Sequence, residues 1–376
     1  MDKKDMILPS GFHDRLPPQA ESAARLRRCL LDILAGYGYR RVEPTLVENE
    51  AGLRANMSRD AAQKLLRAAD PLTGNMLAMR SDMTVQIARI AQSLLADAPR
   101  PLRLCYQGTV VKLRADQLHP ERQQTQLGAE LIGYNGPAAA REILSMAVEA
   151  LLAAGVNGIT IDINLPDLFD QLAGGPMPIE QGKRAEVQHA LDMKDAGALV
   201  SLGADEYMPL LSMMGAFEPA LEKLSTFDKN GVMAKSIADL RGIVAPISSK
   251  VQVTLDPTER HGFEYQSWFG FTIFARGHNE AIGRGGAYNI KNASANGGAA
   301  HDEPAIGFSL YPDPLFEKNG NMGGDNFLFL PLGHDEIQGK KFRENGWRTV
   351  TALSEADDAK KLGCSHIFEG GALKRV

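Results

Sequence analysis

The first residues to examine are those whose types and spacing could bind a phosphate group. A glycine-rich segment, GGPMPIEQGKR, covers 174–184 and ends in Gly182, Lys183 and Arg184. Its glycine spacing does not fit a P-loop, and Arg184 occupies the position that requires Ser or Thr. A second segment, GRGG at 283–286, does not continue into the G-x-G-x-x-G pattern of a dinucleotide site. We therefore expect no nucleotide-binding loop and no cofactor.

Metal ions and reactive thiols are the next chemistry to consider. His334, Asp335 and Glu336 are adjacent, but three polar residues near a predicted turn are typical of a solvated surface. The chain contains no HExxH or EF-hand pattern. Three cysteines lie far apart in the sequence: Cys29, Cys105 and Cys364. Their odd number and wide spacing argue against a disulfide framework and a cysteine zinc site. We expect no metal centre.

Length and charge exclude several further classes of protein. The chain has 376 residues, which allows two or three domains. It has 41 basic and 46 acidic residues, a net charge of −5, so the basic excess of a nucleic-acid-binding protein is absent. No apolar run reaches the roughly 18–20 residues of a membrane span, and Met1–Asp5 lack the apolar core of a signal peptide. We expect a cytoplasmic protein that binds neither nucleic acid nor membrane.

The elements that must position any site are mixed helices and strands. Residues 39–47 are predicted to form an edge strand interrupted by a proline, which lacks an amide donor. A helix is predicted over 82–95, beginning at Asp82, a good N-cap residue. Residues 102–113 and 123–133 are predicted to form an antiparallel pair around a polar loop.

The order of elements predicts the domain organisation. Helical periodicity covers 166–245, which we interpret as a helical insertion between two parts of one core, 1–165 and 246–316. A polar stretch at 317–326 is predicted to be a linker. Residues 327–376 are predicted to form a small α/β unit of strand, helix, strand, helix and strand. This order indicates an α+β fold rather than the strict alternation of a doubly wound α/β fold.

Several short motifs follow one another along residues 7–316. They are LPSGFHDRLPP (8–18), GYGYRRVEPTLVE (36–48), RSDMT (80–84), LRLCYQGTVVKLRADQLHPERQQTQLGAELIG (102–133), HGFEY (261–265), GGAYN (285–289) and AIGFSLYPDPL (305–315). In this order they resemble the histidyl-tRNA synthetase-like class II proteins. The resemblance implies a class II synthetase-like antiparallel sheet core, and it places Pro44 of the first motif at a dimer interface.

The chain departs from the synthetase pattern where ATP would bind. Adenylation needs cations on the phosphates, because charge develops there in the transition state. Lys112 stands where the second motif has an arginine, and a lysine loses the bidentate fork. Arg114 replaces a glutamate that receives the nucleotide, His261 replaces an arginine that assists activation, and Pro314 replaces the phosphate-binding arginine of the third motif. These degenerate positions predict that adenylation is lost.

The amino-acid side of the resembled pocket is better retained. Asp82, Thr84 and Gln126 match the family positions that hold the ammonium group of the amino acid. Recognition of an imidazole requires an acceptor and a donor at opposite ring nitrogens, and Glu130 and Tyr265 match the positions that supply them. The resemblance therefore implies a histidine-binding site formed by these five residues.

The C-terminal part separates this chain from a synthetase. Only 327–376 follow the predicted linker, whereas a synthetase continues into an anticodon-binding domain of about 100 residues. The combination resembles the family of regulatory subunits of ATP phosphoribosyltransferase. The resemblance implies a non-catalytic subunit that partners the short-form catalytic subunit, as a hetero-octamer, in the first step of L-histidine biosynthesis. It also implies a dimer through the segment around Pro44 and allosteric feedback by L-histidine.

Two other functions remain open from the sequence. Lys112, Arg114 and Arg122 keep positive charge near the former ATP site, which is compatible with an ATP-dependent, amino-acid-activating ligase. A local basic cluster could instead bind RNA, although we interpret it as the solvated face of a helix and strand: Arg25, Arg27, Arg28, Arg40 and Arg41.

Overall fold

The computed structural model describes residues 8–54, 57, 59–114, 121–260, 266–291, 302–318 and 326–376. The chain divides into two compact units, Met1–Lys318 and Asn319–Val376, and each is described by itself below. The finer division of the larger unit into a core and a helical insertion stays a prediction.

The strands of the larger unit, in chain order, are β1 (Arg40–Val42), β2 (Val47–Asn49), β3 (Leu66–Ala69), β4 (Met76–Met79), β5 (Leu102–Val111), β6 (Gln123–Ile132), β7 (Ile159–Asn164), β8 (Gly215–Ala216), β9 (Gln252–Asp256), β10 (Gln266–Ala275), β11 (Gly283–Ile290) and β12 (Glu303–Leu310). Its helices are α1 (Gln19–Gly36), α2 (Glu50–Arg54), α3 (Arg59–Gln63), α4 (Thr84–Gln92), α5 (Pro137–Ala153), α6 (Leu168–Ala173), α7 (Arg184–Asp192), α8 (Ala196–Ser201), α9 (Phe217–Phe227), α10 (Ala234–Val244) and α11 (Asp313–Lys318). Two 3₁₀ helices cover Gln181–Lys183 and Asp205–Ser212.

A nine-stranded sheet organises the larger unit, in the order β1-β5-β6-β12-β11-β10-β7-β9-β8. Its neighbours pair antiparallel except for β1 with β5 and β7 with β9, which are parallel. The predicted antiparallel pair is confirmed: β5 and β6 pair along their whole length. A mostly antiparallel sheet combined with helices confirms the α+β class.

The two faces of this sheet have opposite character, because successive side chains of a strand point to opposite sides. On β6, Leu127, Ala129 and Leu131 are buried in the large apolar core, which also takes in the inner faces of α1 and α5. The alternate residues of the same strand, Gln126 and Glu130, are polar yet almost fully buried. The apolar face supports the fold, and the polar face is available for chemistry.

The predicted strand over 39–47 is in fact two strands that join different sheets. β1 lies at the edge of the large sheet, and β2 belongs to a three-stranded sheet of order β2-β4-β3. Pro44 lies between them, where the chain leaves one sheet for the other. The prediction of an edge position is confirmed for β1.

Helices dominate 166–245, as the periodicity predicts. The segment also contains one short strand that was not predicted, β8, which pairs with β9. Their apolar faces join the main core through buried residues such as Leu221, Leu224 and Leu240. Among the described residues, no helix is both long and apolar enough to cross a membrane.

The smaller unit contains β13 (Phe327–Leu330), α12 (Glu336–Glu344), β14 (Arg348–Thr351), β15 (His366–Glu369) and β16 (Ala372–Arg375). Its sheet has the order β14-β13-β15-β16. The predicted second helix is wrong, because residues 353–363 form turns. Asp357 holds one of these turns by accepting hydrogen bonds from the amides of Leu353 and Ser354. The terminal strand β16 was not predicted.

Candidate functional site

The register of the large sheet aligns a row of residues across five strands on its polar face. Glu130 pairs with Gly307, Gly307 with Gly286, Gly286 with Gly270, and Gly270 with Asn164. Three adjacent glycines thus form a floor without side chains between a glutamate and an asparagine. Glycine inside a strand often marks a place where a ligand or another group approaches the backbone closely.

A hydrogen-bonded cluster at the start of α4 lies beside this floor. The amide nitrogen of Gln126 donates to Asp82 Oδ1 at 2.9 Å and to Ser309 Oγ at 2.8 Å. The oxygen of the same side-chain amide accepts from the backbone N–H of Met83 at 2.8 Å. Asp82 Oδ1 also accepts from the Thr84 N–H at 2.8 Å. These bonds engage Oδ1 of Asp82. Within the described residues, Asp82 Oδ2 accepts no hydrogen bond.

Glu130 forms the second polar centre of the site. Tyr106 donates to Glu130 Oε1 at 3.1 Å, and Tyr288 donates to Oε2 at 2.9 Å. The Tyr106 hydroxyl also lies 2.9 Å from Ser309 Oγ and 3.3 Å from Thr84 Oγ1. The tyrosine therefore joins the two polar centres into one network.

Burial controls the protonation of this network. It raises the pKa of Glu130 to about 8, and the two tyrosine hydrogen bonds only partly offset that rise. Burial, followed by the Glu130 charge, also raises the pKa values of Tyr106 and Tyr288 well above the usual range. With its pKa at about 8, Glu130 is mostly protonated at neutral pH, so it adds little negative charge to the buried part of the unliganded network.

Close approach of side chains explains why glycines occur in the neighbouring strands. A Cβ at Gly307 would lie 1.8 Å from Glu130 Oε2, and one at Gly128 would lie 2.6 Å from the Tyr106 hydroxyl. A Cβ at Gly108 would lie 2.1 Å from a guanidinium nitrogen of Arg80. Because glycine has no side chain, these positions leave the space that the polar side chains occupy.

Arg80 ties the site to the segment that contains Pro44. Its guanidinium donates to the carbonyl oxygens of Pro44 and Thr109, each at 2.7 Å, and it is only 5% exposed. Gln86 of α4 donates to the Thr45 carbonyl oxygen and to Glu48 Oε1. These bonds tie the 44–48 segment to Arg80 and Gln86, which flank Asp82 in the chain.

Comparisons with known proteins find similarity to histidyl-tRNA synthetases and to regulatory subunits of ATP phosphoribosyltransferase. The family model described as histidyl-tRNA synthetase matches residues 11–315. An ATP phosphoribosyltransferase regulatory subunit of Rhodospirillum centenum is 36% identical, and the match covers 98% of this chain and 96% of that protein. One from Rhodospirillum rubrum is also 36% identical, over 96% and 95% of the two chains. The chain belongs to the family of ATP phosphoribosyltransferase regulatory subunits.

Solved structures confirm the synthetase-like fold of this regulatory-subunit family member. An ATP phosphoribosyltransferase regulatory subunit/histidyl-tRNA synthetase from Bacillus halodurans has a TM-score of 0.78 and 22% identity, covering 95% of this chain and 96% of that one. Histidyl-tRNA synthetase from Nostoc has a TM-score of 0.75 and 17% identity, covering 96% and 90%. At these identities the likeness shows the fold alone, and it confirms the predicted class II synthetase-like core.

The structure brings together four of the five residues that the resemblance implied for histidine binding in this regulatory subunit: Asp82, Thr84, Gln126 and Glu130. Tyr265 lies outside the described residues. Sequence reasoning missed Tyr106, Tyr288 and Ser309 as members of the network, and it did not single out the buried Arg80. A signal was available for all four, because each lies in a motif that carried the resemblance: Arg80 in RSDMT, Tyr106 in the 102–133 segment, Tyr288 in GGAYN and Ser309 in AIGFSLYPDPL.

The degenerate synthetase positions that the structure describes lie in the β5–β6 connection and in α11. Lys112 follows β5; its backbone N–H donates to the Arg122 carbonyl oxygen, and its own carbonyl oxygen accepts from the Arg122 side chain at Nε. Arg114 is exposed. Pro314 is in the first turn of α11 and has no polar side-chain atom. His261 lies outside the described residues. Among the residues that the structure does describe, no group of three His, Cys, Asp or Glu side chains could hold a metal ion.

Proposed function

We propose that this chain is the non-catalytic regulatory subunit of an ATP phosphoribosyltransferase and that it senses L-histidine through the polar face of its large sheet. The observation that carries the proposal is the single network that joins Asp82, Gln126, Ser309, Tyr106 and Glu130. A buried network of this kind is costly unless its members are satisfied, and it surrounds a floor made of glycine.

The chemistry of the two polar centres suits the two ends of histidine. Asp82 Oδ2 and Thr84 Oγ1 would hold the ammonium group, with Gln126 keeping Asp82 in place. Glu130 would face the imidazole, supported by Tyr288. An approaching imidazolium favours the ionised form of a nearby carboxylate, so binding of histidine in its imidazolium form would release the Glu130 proton to solvent.

The former ATP site supports a non-catalytic role. Pro314 offers no cation where the third motif places an arginine, and Arg114 reverses the charge of the resembled glutamate. Asp313, the neighbour of Pro314, forms an ion pair with Arg15 at 2.8 Å. Its second carboxylate oxygen accepts a hydrogen bond from the Thr125 backbone N–H. This end of the site is held by internal contacts rather than by cations facing a nucleotide.

The names of the relatives support a catalytic partner. We propose the short-form catalytic subunit of ATP phosphoribosyltransferase, in a hetero-octamer, acting in the first step of L-histidine biosynthesis. Self-association would use the segment around Pro44, which exposes Leu46 and Val47. Feedback would be a coupling free energy of about 1–3 kcal/mol between the histidine site and the partner's active site.

Reconstitution tests the assembly. The purified chain is expected to show no phosphoribosyl transfer alone. Adding the short catalytic subunit should produce activity and a larger complex on a sizing column, and L-histidine should lower that activity. Transfer by this chain alone would disprove the proposal, and histidine-dependent pyrophosphate exchange into ATP would favour a ligase instead.

Thermal melting tests the pocket separately. A ligand stabilises only through the state it binds, by about 2.7 kcal/mol at a concentration 100 times the dissociation constant. L-histidine should raise the melting temperature of the wild type, and Glu130→Ala should reduce that shift. An unchanged shift in the variant would place histidine elsewhere.

A further inference from the structure

Arg284 is a cation in the floor of the proposed pocket, and neither the resemblance nor the family name assigns it a role. It lies on β11, where it pairs with Ser309 of β12 on one side and Thr272 of β10 on the other. Directly opposed residues of an antiparallel pair have Cβ atoms about 4.5–5.5 Å apart on the same face. Arg284 is therefore a direct neighbour of Ser309, which accepts the Gln126 hydrogen bond.

Arg284 has no salt bridge or hydrogen bond to any side chain within the described part of the chain. The row of residues that pair with Arg284 across the sheet contains one carboxylate, Asp162, which lies two strands away beyond Thr272. Asp162 accepts a hydrogen bond from the Thr254 hydroxyl at 2.6 Å. A half-buried cation without an acidic partner is uncommon in a folded protein, because buried charges are usually paired. Since the described residues give Arg284 no acidic partner, an anionic group of a ligand would supply the pairing.

The position of Tyr311 shows that Arg284 and Asp82 act on the same region. Burial raises the pKa of the Tyr311 hydroxyl, the Asp82 charge raises it further, and the Arg284 charge lowers it. Tyr311 directly follows β12, the strand that carries Ser309. The Asp82 and Arg284 charges thus both lie within electrostatic range of this hydroxyl.

Distances along β11 fit a small amino acid. Tyr288, which donates to Glu130, is four residues from Arg284 on the same face, about 13 Å at the usual strand rise. Gly286 lies between them and adds no side chain. Arg284 and the Tyr288–Glu130 pair thus lie at the two ends of a glycine-floored span, whose length suits one free amino acid with a ring.

We infer that Arg284 binds the α-carboxylate of the amino acid whose ammonium group is held by Asp82. This inference rests on the proposed histidine site and adds the group that distinguishes an amino acid from an amine or alcohol analogue. A free phosphate is the alternative anion, and the test separates the two.

The test is calorimetric titration of the full chain with L-histidine, L-histidinol and inorganic phosphate. L-histidinol keeps the ammonium and imidazole groups but replaces the carboxylate with an alcohol. Charge-assisted hydrogen bonds support an expected loss of roughly 10–100-fold in histidine affinity for Arg284→Gln. Histidinol affinity should stay unchanged, and Arg284→Lys should recover part of the histidine affinity.

Arg276→Gln is the matched control, because it removes one exposed positive charge just beyond the end of neighbouring β10. It should leave histidine affinity unchanged. Equal losses for histidine and histidinol in both Arg284 variants, or no loss for either, would overturn the inference. Phosphate binding that requires Arg284 while histidine binding does not would also overturn it. A wild type that binds neither histidine nor histidinol would instead refute the proposed function itself.

Discussion

The amino-acid side and the nucleotide side of the site differ in how their polar groups are held. On the amino-acid side, Gln126 and Glu130 are almost fully buried and bonded to several partners each. On the nucleotide side, Lys112 and Pro314 are half-buried and Arg114 is exposed. A buried, mutually bonded set loses free energy when any member changes, whereas exposed positions at strand and helix ends tolerate substitution. The difference explains how one half of a synthetase-like site can persist while the other changes.

The largest expected effect comes from filling the glycine floor. In Gly307→Ala the new Cβ would meet Glu130 Oε2 at 1.8 Å and the backbone oxygen of Ala129 at 2.5 Å. Neither group can move without breaking the network or the sheet, so we expect a loss of about 3 kcal/mol in unfolding free energy and loss of histidine binding. Chemical denaturation and calorimetry measure the two. Gly182→Ala, with no atom within 4 Å of the added Cβ, is the control, and equal behaviour would contradict the close-packed floor.

The next effect concerns the buried proton of Glu130. Its pKa rises from 4.5 to about 8 on folding, so the folded state holds this proton more tightly and loses stability as pH rises through that range. Between pH 6 and pH 9 the wild type should lose roughly 2–3 kcal/mol relative to Glu130→Gln, which cannot ionise. Denaturant unfolding at several pH values measures this difference. Parallel curves for the two proteins would show that Glu130 is ionised throughout.

A smaller effect is expected at Asp82. Asp82→Asn keeps the size and one acceptor oxygen but removes the charge that would hold an ammonium group. Histidine affinity should fall by roughly tenfold or more, while the half-buried position predicts a stability change within about 1 kcal/mol. Lys112→Met, on the nucleotide side, should leave histidine affinity unchanged. A loss in the Lys112 variant equal to that in the Asp82 variant would contradict the division into two sides.

The smallest expected effect comes from returning one arginine to the nucleotide side, which should not restore adenylation activity. Pro314→Arg returns the resembled arginine to the third motif, but Lys112, Arg114 and His261 still differ from the synthetase pattern. Transition-state charge needs several positioned groups, so we expect no histidine-dependent pyrophosphate exchange into ATP. Measurable exchange in this single variant would show that the nucleotide side is one substitution from activity.

Sequence patterns predicted the regular elements well where periodicity was long. The β5–β6 pair, α5 and the helical stretch of 166–245 follow their apolar spacing. Short elements were harder, because a few residues carry little periodic signal. The turns at 353–363 were predicted as a helix, and the strand before Pro44 was predicted to continue beyond it. At 353–363, hydrogen bonds to the Asp357 side chain hold a turn instead of a helix. At Pro44, the chain passes from the large sheet to the three-stranded sheet.

The sequence by itself determined the fold class and the motifs, because apolar period and motif order are local properties of the chain. It also pointed to Asp82, Thr84, Gln126 and Glu130 as one set. Only the tertiary structure decided that Tyr106, Tyr288 and Ser309 complete the network and that three glycines form its floor. It also placed Arg284 beside Ser309, since strand register brings residues from β11 and β12 within reach of each other. Register depends on the pairing of whole strands, which no single motif specifies.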